Sequence, residues 1–310
     1  MSDVETPLNV EFPSEGITLR GHLYLPEGPG PHPVVVMAGG WCYVKELVQP
    51  DYARVFVAAG VAALVFDYRT MGDSDGEPRQ HLDPWQQIED YKNAISYAET
   101  RPELDSKRIG IWGISYSGGH VLIVGATDSR VKCIVSNIPV IDGHKTMRLV
   151  HGAIRFRELS ELILDDRRNR LATGKFGYLP MSTATPADEL TTWPFPEVTS
   201  AFTMLKETEA PNHDHRNTIA SVEMLLNYDP SGFAPRILNT PTLMTVAERD
   251  DITMWDDEIR VFNAIGTAKK RLFVFDETSH MTLYSNKSRL EIAAEQGRSW
   301  LVEHLVTPFT

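Results

Sequence analysis

Ser115, Asp250 and His280 are the residue types that together turn a hydroxyl into a nucleophile. A serine attacks a carbonyl only when a base takes its proton, and that base needs an acid to hold its tautomer and stabilise the imidazolium. Ser115 lies in Trp112-Gly113-Ile114-Ser115-Tyr116-Ser117-Gly118-Gly119. A short apolar run, 108–112, precedes it, and small residues compatible with a helix follow. A strand, a sharp turn and a helix would put Ser115 on a nucleophile elbow. Gly113 and Ser117 are small, as such a turn demands. The usual pattern has glycine two residues after the nucleophile, where this chain has Ser117.

The partners should lie in loops beyond the carboxyl ends of other strands, where a doubly wound sheet gathers its reactive groups. After the run ending at Val246 comes Ala247-Glu248-Arg249-Asp250-Asp251. Asp250 is the first choice of acid, with Asp251 and Asp142 as competitors. After the run ending at Phe275 comes Asp276-Glu277-Thr278-Ser279-His280, and His280 is the choice of base. The developing oxyanion needs two N–H donors. One is expected from Tyr116. The other is expected from Gly39-Gly40-Trp41-Cys42, with Trp41 preferred over Cys42 and the glycines allowing close backbone approach.

The elements that must position these residues are legible in outline. Segments 8–12 and 18–25 alternate in polarity around a turn at Ser14-Glu15-Gly16, which suits an antiparallel edge. Segments 34–38, 61–66, 131–136, 241–246 and 271–275 read as strands of a mainly parallel sheet. Helices are expected over 51–59, over 84–99 with Asp83 as N-cap, from about Tyr116, and over 292–305. Strands alternating with helices predict an α/β fold with a doubly wound, mainly parallel sheet. The alternation stops over 142–236, where amphipathic stretches such as 147–171 and Pro-rich loops such as 178–196 appear without a buried strand. We therefore expect a core domain of 1–141 and 237–310 with a helical cap of 142–236 inserted into it.

Composition narrows the function classes. The 310 residues are 42% hydrophobic and 23% charged, an ordinary globular balance. A net charge of -12 disfavours nucleic acid as a partner. Cys42 and Cys133 are the two cysteines, too few for a disulfide framework or a zinc site, and Cys133 falls within an apolar run. The segment Met1-Ser2-Asp3-Val4-Glu5 has neither the basic nor the apolar part of a leader, and no apolar run is long enough to span a membrane. A cytoplasmic location is the resulting expectation. His213-Asp214-His215 has metal-ligand types but no further ligand cluster, so a hydrated lid loop is expected there and no metal. Arg155, Arg157, Arg167, Arg168 and Arg170 interleave with Glu158, Glu161, Asp165 and Asp166, the pattern of a solvated helix face. The sharper alternative is a docking face for an acidic acyl carrier protein.

Together these residues resemble the α/β-hydrolase superfamily, over nearly the whole chain outside the insertion. Gly113-Ile114-Ser115-Tyr116-Ser117-Gly118 is similar to the G-x-S-Y-x-G elbow of Xaa-Pro dipeptidyl-peptidase and cocaine-esterase-like enzymes. Asp67-Tyr68-Arg69, with Gly72, Ser74 and Gly76, resembles a loop carried by that superfamily. Val44-Lys45-Glu46, Gly72-Asp73-Ser74-Asp75-Gly76, Asp83-Pro84 with Gln87, and Asp90-Tyr91 resemble a dienelactone-hydrolase-like branch. That branch includes fungal polyketide transferases and thiohydrolases. True dienelactone hydrolases use cysteine where this chain has Ser115.

The expected function is a serine hydrolase or acyltransferase acting on an ester or thioester carbonyl through an acyl-enzyme. It needs no cofactor, takes a small-molecule acyl or carbonyl substrate, and leaves room for a homodimer. The same triad would also serve hydrolysis of a carbon–carbon bond beside a ketone. A peptidase is less well supported, since no carboxylates are clearly placed to hold a free peptide N-terminus. The reading from another class is a ligand-binding protein on the same fold.

Overall fold

The computed structural model describes residues 6–307. Met1–Glu5, read above as carrying no leader, lie outside the described residues. In chain order the amino-terminal elements are β1 (Leu8–Ser14), β2 (Ile17–Tyr24), β3 (His32–Ala38), α1 (Gln49–Val57), β4 (Ala62–Phe66) and α2 (Pro84–Thr100). Next come β5 (Leu104–Ile114), α3 (Tyr116–Thr127) and β6 (Val131–Asn137). After β6 follow α4 (Gly143–Thr173), β7 (Tyr178–Pro180), α5 (Pro196–Thr208), β8 (Arg216–Thr218) and α6 (Ile219–Leu225). The last part holds β9 (Thr242–Ala247), α7 (Trp255–Ala264), β10 (Lys270–Phe275), α8 (Thr282–Ser285) and α9 (Lys287–Leu301).

Eight strands form one sheet in the order β1-β2-β4-β3-β5-β6-β9-β10. Strand β2 runs against both of its neighbours, and the pairs from β4 through β10 are parallel. The doubly wound, mainly parallel sheet expected from the sequence is therefore present. Its physical cause is plain in the burial. β4 and β9 are buried at every residue and β3 at all but its first, as strands covered by helices on both faces must be. The edge strand β1 alternates buried and exposed residues.

The chain runs from β3 outward to β4, then crosses back to β5 on the other side of β3. That reversal opens a crevice beyond the carboxyl ends of β3 and β5, where α/β sheets place ligands. The register pairs Ala38 with Gly113, so the loop after β3 and the elbow after β5 leave the sheet side by side. Tyr91, on α2, braces this point. Its hydroxyl accepts from Ala38 N at 3.1 Å and donates to the Trp112 carbonyl. Helix α2 starts as expected, with the Asp83 side chain accepting from Trp85 N and Gln86 N.

Three expectations need correction. The stretch between β6 and β9 adds no strand to the large sheet, but it contains the antiparallel pair β7–β8, which periodicity did not reveal. Strands of three residues are too short to alternate visibly. The helix expected over 147–171 begins at Gly143, and Gly152 breaks it with φ 65°. The closing helix starts at Lys287, capped by the Asn286 side chain, and a π-helical turn (Val302–Val306) continues it. No helix among the described residues is long and apolar enough to cross a membrane.

Candidate active site

Ser115 joins β5 to α3 with φ 57° and ψ -116°. A non-glycine residue held there is strained by about 1–3 kcal/mol, so the surroundings must impose the conformation. They do so by close packing. A Cβ on Gly113 would collide with the Ser117 carbonyl, and one on Gly118 would lie 2.7 Å from the Asn137 carbonyl oxygen. Ser117, the departure from the usual glycine, uses its side chain. Its hydroxyl donates to the Gly39 carbonyl and accepts from Tyr68 Oη at 2.6 Å. The elbow is thereby tied to the loop after β3.

The structure brings the three sequence-selected side chains together. His280 Nε2 is 3.1 Å from Ser115 Oγ, and His280 Nδ1 is 2.7 Å from Asp250 Oδ2. Asp250 lies three residues beyond β9 and His280 five beyond β10, in adjacent parallel strands that end level at Ala247 and Phe275. Of the competing acids, Asp142 caps α4 through Lys145 N, while Asp251 is exposed and makes no bond to His280. Asp250 Oδ1 accepts from Ile252 N at 2.9 Å and Thr253 N at 2.8 Å, which fixes the carboxylate. Burial alone would raise its pKa, but His280 and the Thr253 donors outweigh burial and hold it below the ordinary carboxylate value. Behind it, buried Glu258 accepts from Thr253 Oγ1 at 2.9 Å. Burial and the Asp250 charge push the Glu258 carboxyl well up, favouring its neutral form.

The loop after β3 reaches Ser115 at Gly40, where a Cβ would lie 2.9 Å from Ser115 Cβ and 3.1 Å from the Ile114 carbonyl oxygen. Trp41 follows Gly40 and Tyr116 follows Ser115, so both amides border Ser115. The Tyr116 N–H opens α3, one of the positions a helix cannot satisfy internally. The Tyr116 ring packs on Trp41 at 5.1 Å and on Tyr228 at 4.8 Å, away from the pocket. Cys42 is buried, its thiol pushed up by burial, and donates to the Arg216 carbonyl at 3.4 Å. Cys133 is a free core thiol.

Sequence reasoning missed two residues. Asn217, on β8, accepts from Trp41 Nε1 at 3.0 Å and from Thr192 Oγ1 at 2.8 Å. No local signal announces a contact across 176 positions. Tyr284, on α8, stacks on the His280 ring and brings its hydroxyl 3.3 Å from Nε2. Its spacing of four from His280 was the available signal. The hydrated loop expected at His213–His215 is not what forms. His213 is buried against Phe202 and pairs with His215 at 3.3 Å, while Asp214 bonds Arg216.

Ser115 and His280 face a cavity walled mainly by Trp41, Met181, Trp193, Phe202, Ile252 and Met281. None of its described lining residues carries a fixed charge. The cavity is partly open, and the free space within it is ≈ 20 Å³, room for about one water. Met181, Trp193 and Phe202 come from the stretch between β6 and β9.

Comparison with known proteins agrees with this architecture. Residues 15–282 match the family described as X-Pro dipeptidyl-peptidase (S15 family). The quorum-quenching protein AidA of Acinetobacter baumannii is 33% identical over 250 residues, 80% of each chain. The thiohydrolase aneE of Aspergillus aculeatus is 31% identical over 295 residues, 90% of this chain and 88% of the other. The crystal structure of the alpha/beta hydrolase GrgF from Penicillium superposes with a TM-score of 0.81 at 25% identity, over 97% of this chain and 99% of that one. The chain thus belongs to the X-Pro dipeptidyl-peptidase (S15) family and is an α/β-hydrolase-fold enzyme of hydrolase or transferase type.

Proposed function

We propose that this protein cleaves or transfers an apolar acyl group from an ester or thioester through an acyl-enzyme on Ser115. The observation that carries the reading is the hydrogen-bonded chain from Ser115 Oγ through His280 to Asp250, at 3.1 and 2.7 Å. Ser115 Oγ attacks the carbonyl carbon while His280 Nε2 takes its proton. The tetrahedral oxyanion is held by the N–H groups of Trp41 and Tyr116. His280 then delivers the proton to the leaving heteroatom, and the acyl–Ser115 ester remains. Water or an alcohol attacks it by the reverse route, again giving its proton to His280. Asp250 keeps the imidazole in the tautomer whose Nε2 accepts.

The aromatic, uncharged cavity supports an apolar acyl group. The thiohydrolase relative supports a thioester among the candidates. We take residues 142–236 as a cap over this cavity. Since the free space is so small, we take Trp193 and Phe202, which line it, as side chains that move to admit substrate. A fluorophosphonate probe should label the wild-type protein and not the Ser115→Ala variant. A wild type that neither labels nor turns over a panel of esters and thioesters would refute the reading.

A further inference from the structure

His280 Nε2 has one lone pair when Nδ1 carries the proton that faces Asp250. Two hydroxyls compete for it, Ser115 at 3.1 Å and Tyr284 at 3.3 Å. Only one of them is needed to start catalysis, so the tyrosine is a spare donor at the reacting centre. It is no loose surface group. Tyr284 is 2% exposed, its ring lies at 27° to the His280 ring with centroids 5.4 Å apart, and Tyr43 meets it edge-on at 5.6 Å. The phenol lines the same cavity as Ser115 and His280. Burial raises its pKa above the ordinary tyrosine value, so it keeps its proton and acts as a donor.

The position of this donor decides its role. The oxyanion is met by backbone amides beside Ser115. The leaving heteroatom must instead come within hydrogen-bond reach of Nε2, because Nε2 gives it a proton. A hydroxyl 3.3 Å from Nε2 that lines the same cavity as Ser115 stands on the side from which that heteroatom must approach Nε2. We propose that Tyr284 Oη donates a hydrogen bond to the substrate atom that leaves in acylation, and to the oxygen that attacks in deacylation. This rests on the acyl-enzyme reading above. In acylation the Ser115 Oγ–carbon bond forms, the carbon–heteroatom bond breaks, and the Ser115 proton passes through Nε2 to the departing atom. Deacylation reverses these bond changes with a new hydroxyl, and Tyr284 keeps its own proton throughout.

The chemistry of the leaving group then names the substrate class. An alkoxide of an aliphatic alcohol is a poor leaving group and gains from a second donor. An aryloxide or thiolate departs with little help. The site is thus equipped for oxygen esters of alcohols, or for acyl transfer to an alcohol, more than for thioester hydrolysis.

The test is Tyr284→Phe, which removes one oxygen and keeps the ring on His280. Ethyl, p-nitrophenyl and N-acetylcysteamine hexanoates share one acyl group and differ in what leaves. The variant should lose about 10- to 100-fold in kcat/KM on the ethyl ester, as for a lost hydrogen bond to a charged atom. On the other two substrates it should stay within about threefold of wild type. An equal loss on all three substrates, or no loss on the ethyl ester, overturns the proposal. Fluorophosphonate labelling separates the two readings. A wild type that labels while the substrate pattern is flat removes only the role of Tyr284. A wild type that does not label removes the acyl-enzyme itself. Should the variant not fold, wild-type kcat/KM across esters of alcohols of rising pKa still decides. A shallow decline supports the added donor, and a steep one overturns it.

Discussion

At the scale of single residues, this site is built by exclusion as much as by contact. Ser115 meets His280 because Gly113, Gly118 and Gly40 leave room for backbone where any side chain would intrude. Gly40 is the most exacting of these. Its missing Cβ would meet Ser115 Cβ and the Ile114 carbonyl, both parts of the strained elbow and neither able to swing aside. Gly40→Ala should displace the nucleophile or the Trp41 amide by a few tenths of an ångström or more. Misplacement on that scale is expected to cost about 100-fold in kcat/KM. Steady-state kinetics on an activated ester checks this, and a variant with wild-type kcat would show that the loop yields without consequence. Ser117 makes the opposite point. A glycine there would satisfy the turn, but the serine also bonds the Gly39 carbonyl and Tyr68. The departure from the usual elbow pattern is therefore a gain in connection between the elbow and the loops after β3 and β4.

At the scale of elements, the strands were legible and the clamps between loops were not. β3, β4 and β9 announce themselves because burial on both faces demands unbroken apolar runs. Ser115, Asp250 and His280 each stand a few residues past such a run, so their loops could be found before any contact was known. The pair β7–β8 gave no such signal, since its strands are short and its purpose is tertiary. β8 lies against the loop after β3, where Asn217 takes the Trp41 indole N–H and the Arg216 carbonyl takes the Cys42 thiol. The stretch between β6 and β9 thereby grips the loop whose amide we assign to the oxyanion. Asn217→Ala would leave the Trp41 indole N–H buried without a partner, at a cost of about 1–3 kcal/mol. If this tether also aims the Trp41 amide, kcat should fall about tenfold with KM little changed, as for a donor that acts in the transition state. Denaturant melts and the split between kcat and KM measure the two effects separately. Lost stability with unchanged kcat would assign Asn217 to packing alone.

At the scale of the whole molecule, the core contains polar groups whose protonation couples folding to pH. His120 is fully buried on α3 behind the elbow, bonded to Tyr228 Oη at 2.8 Å and to Gln87 Oε1 at 3.0 Å. His213 is buried against Phe202 in the stretch between β6 and β9. Burial lowers each to about 3, from an ordinary value near 6.5. Both are therefore neutral in the native state across the range where the unfolded chain takes up a proton. The unfolded state binds more protons between pH 6.5 and pH 3. The contribution of each histidine to stability then falls as pH drops below 6.5, by up to about 1.4 kcal/mol per pH unit, while buried Asp67, raised to about 6, acts in the opposite sense. The two sites lie in different layers, one under the sheet's central helix and one in the stretch between β6 and β9. His120→Gln keeps the hydrogen-bonding character of the side chain and removes its titration. Urea unfolding from pH 7 to pH 5 should show a slope shallower by about one proton in this variant than in the wild type. An unchanged slope would mean that His120 is already protonated in the native state, and the neutral network with Tyr228 and Gln87 would have to be redrawn.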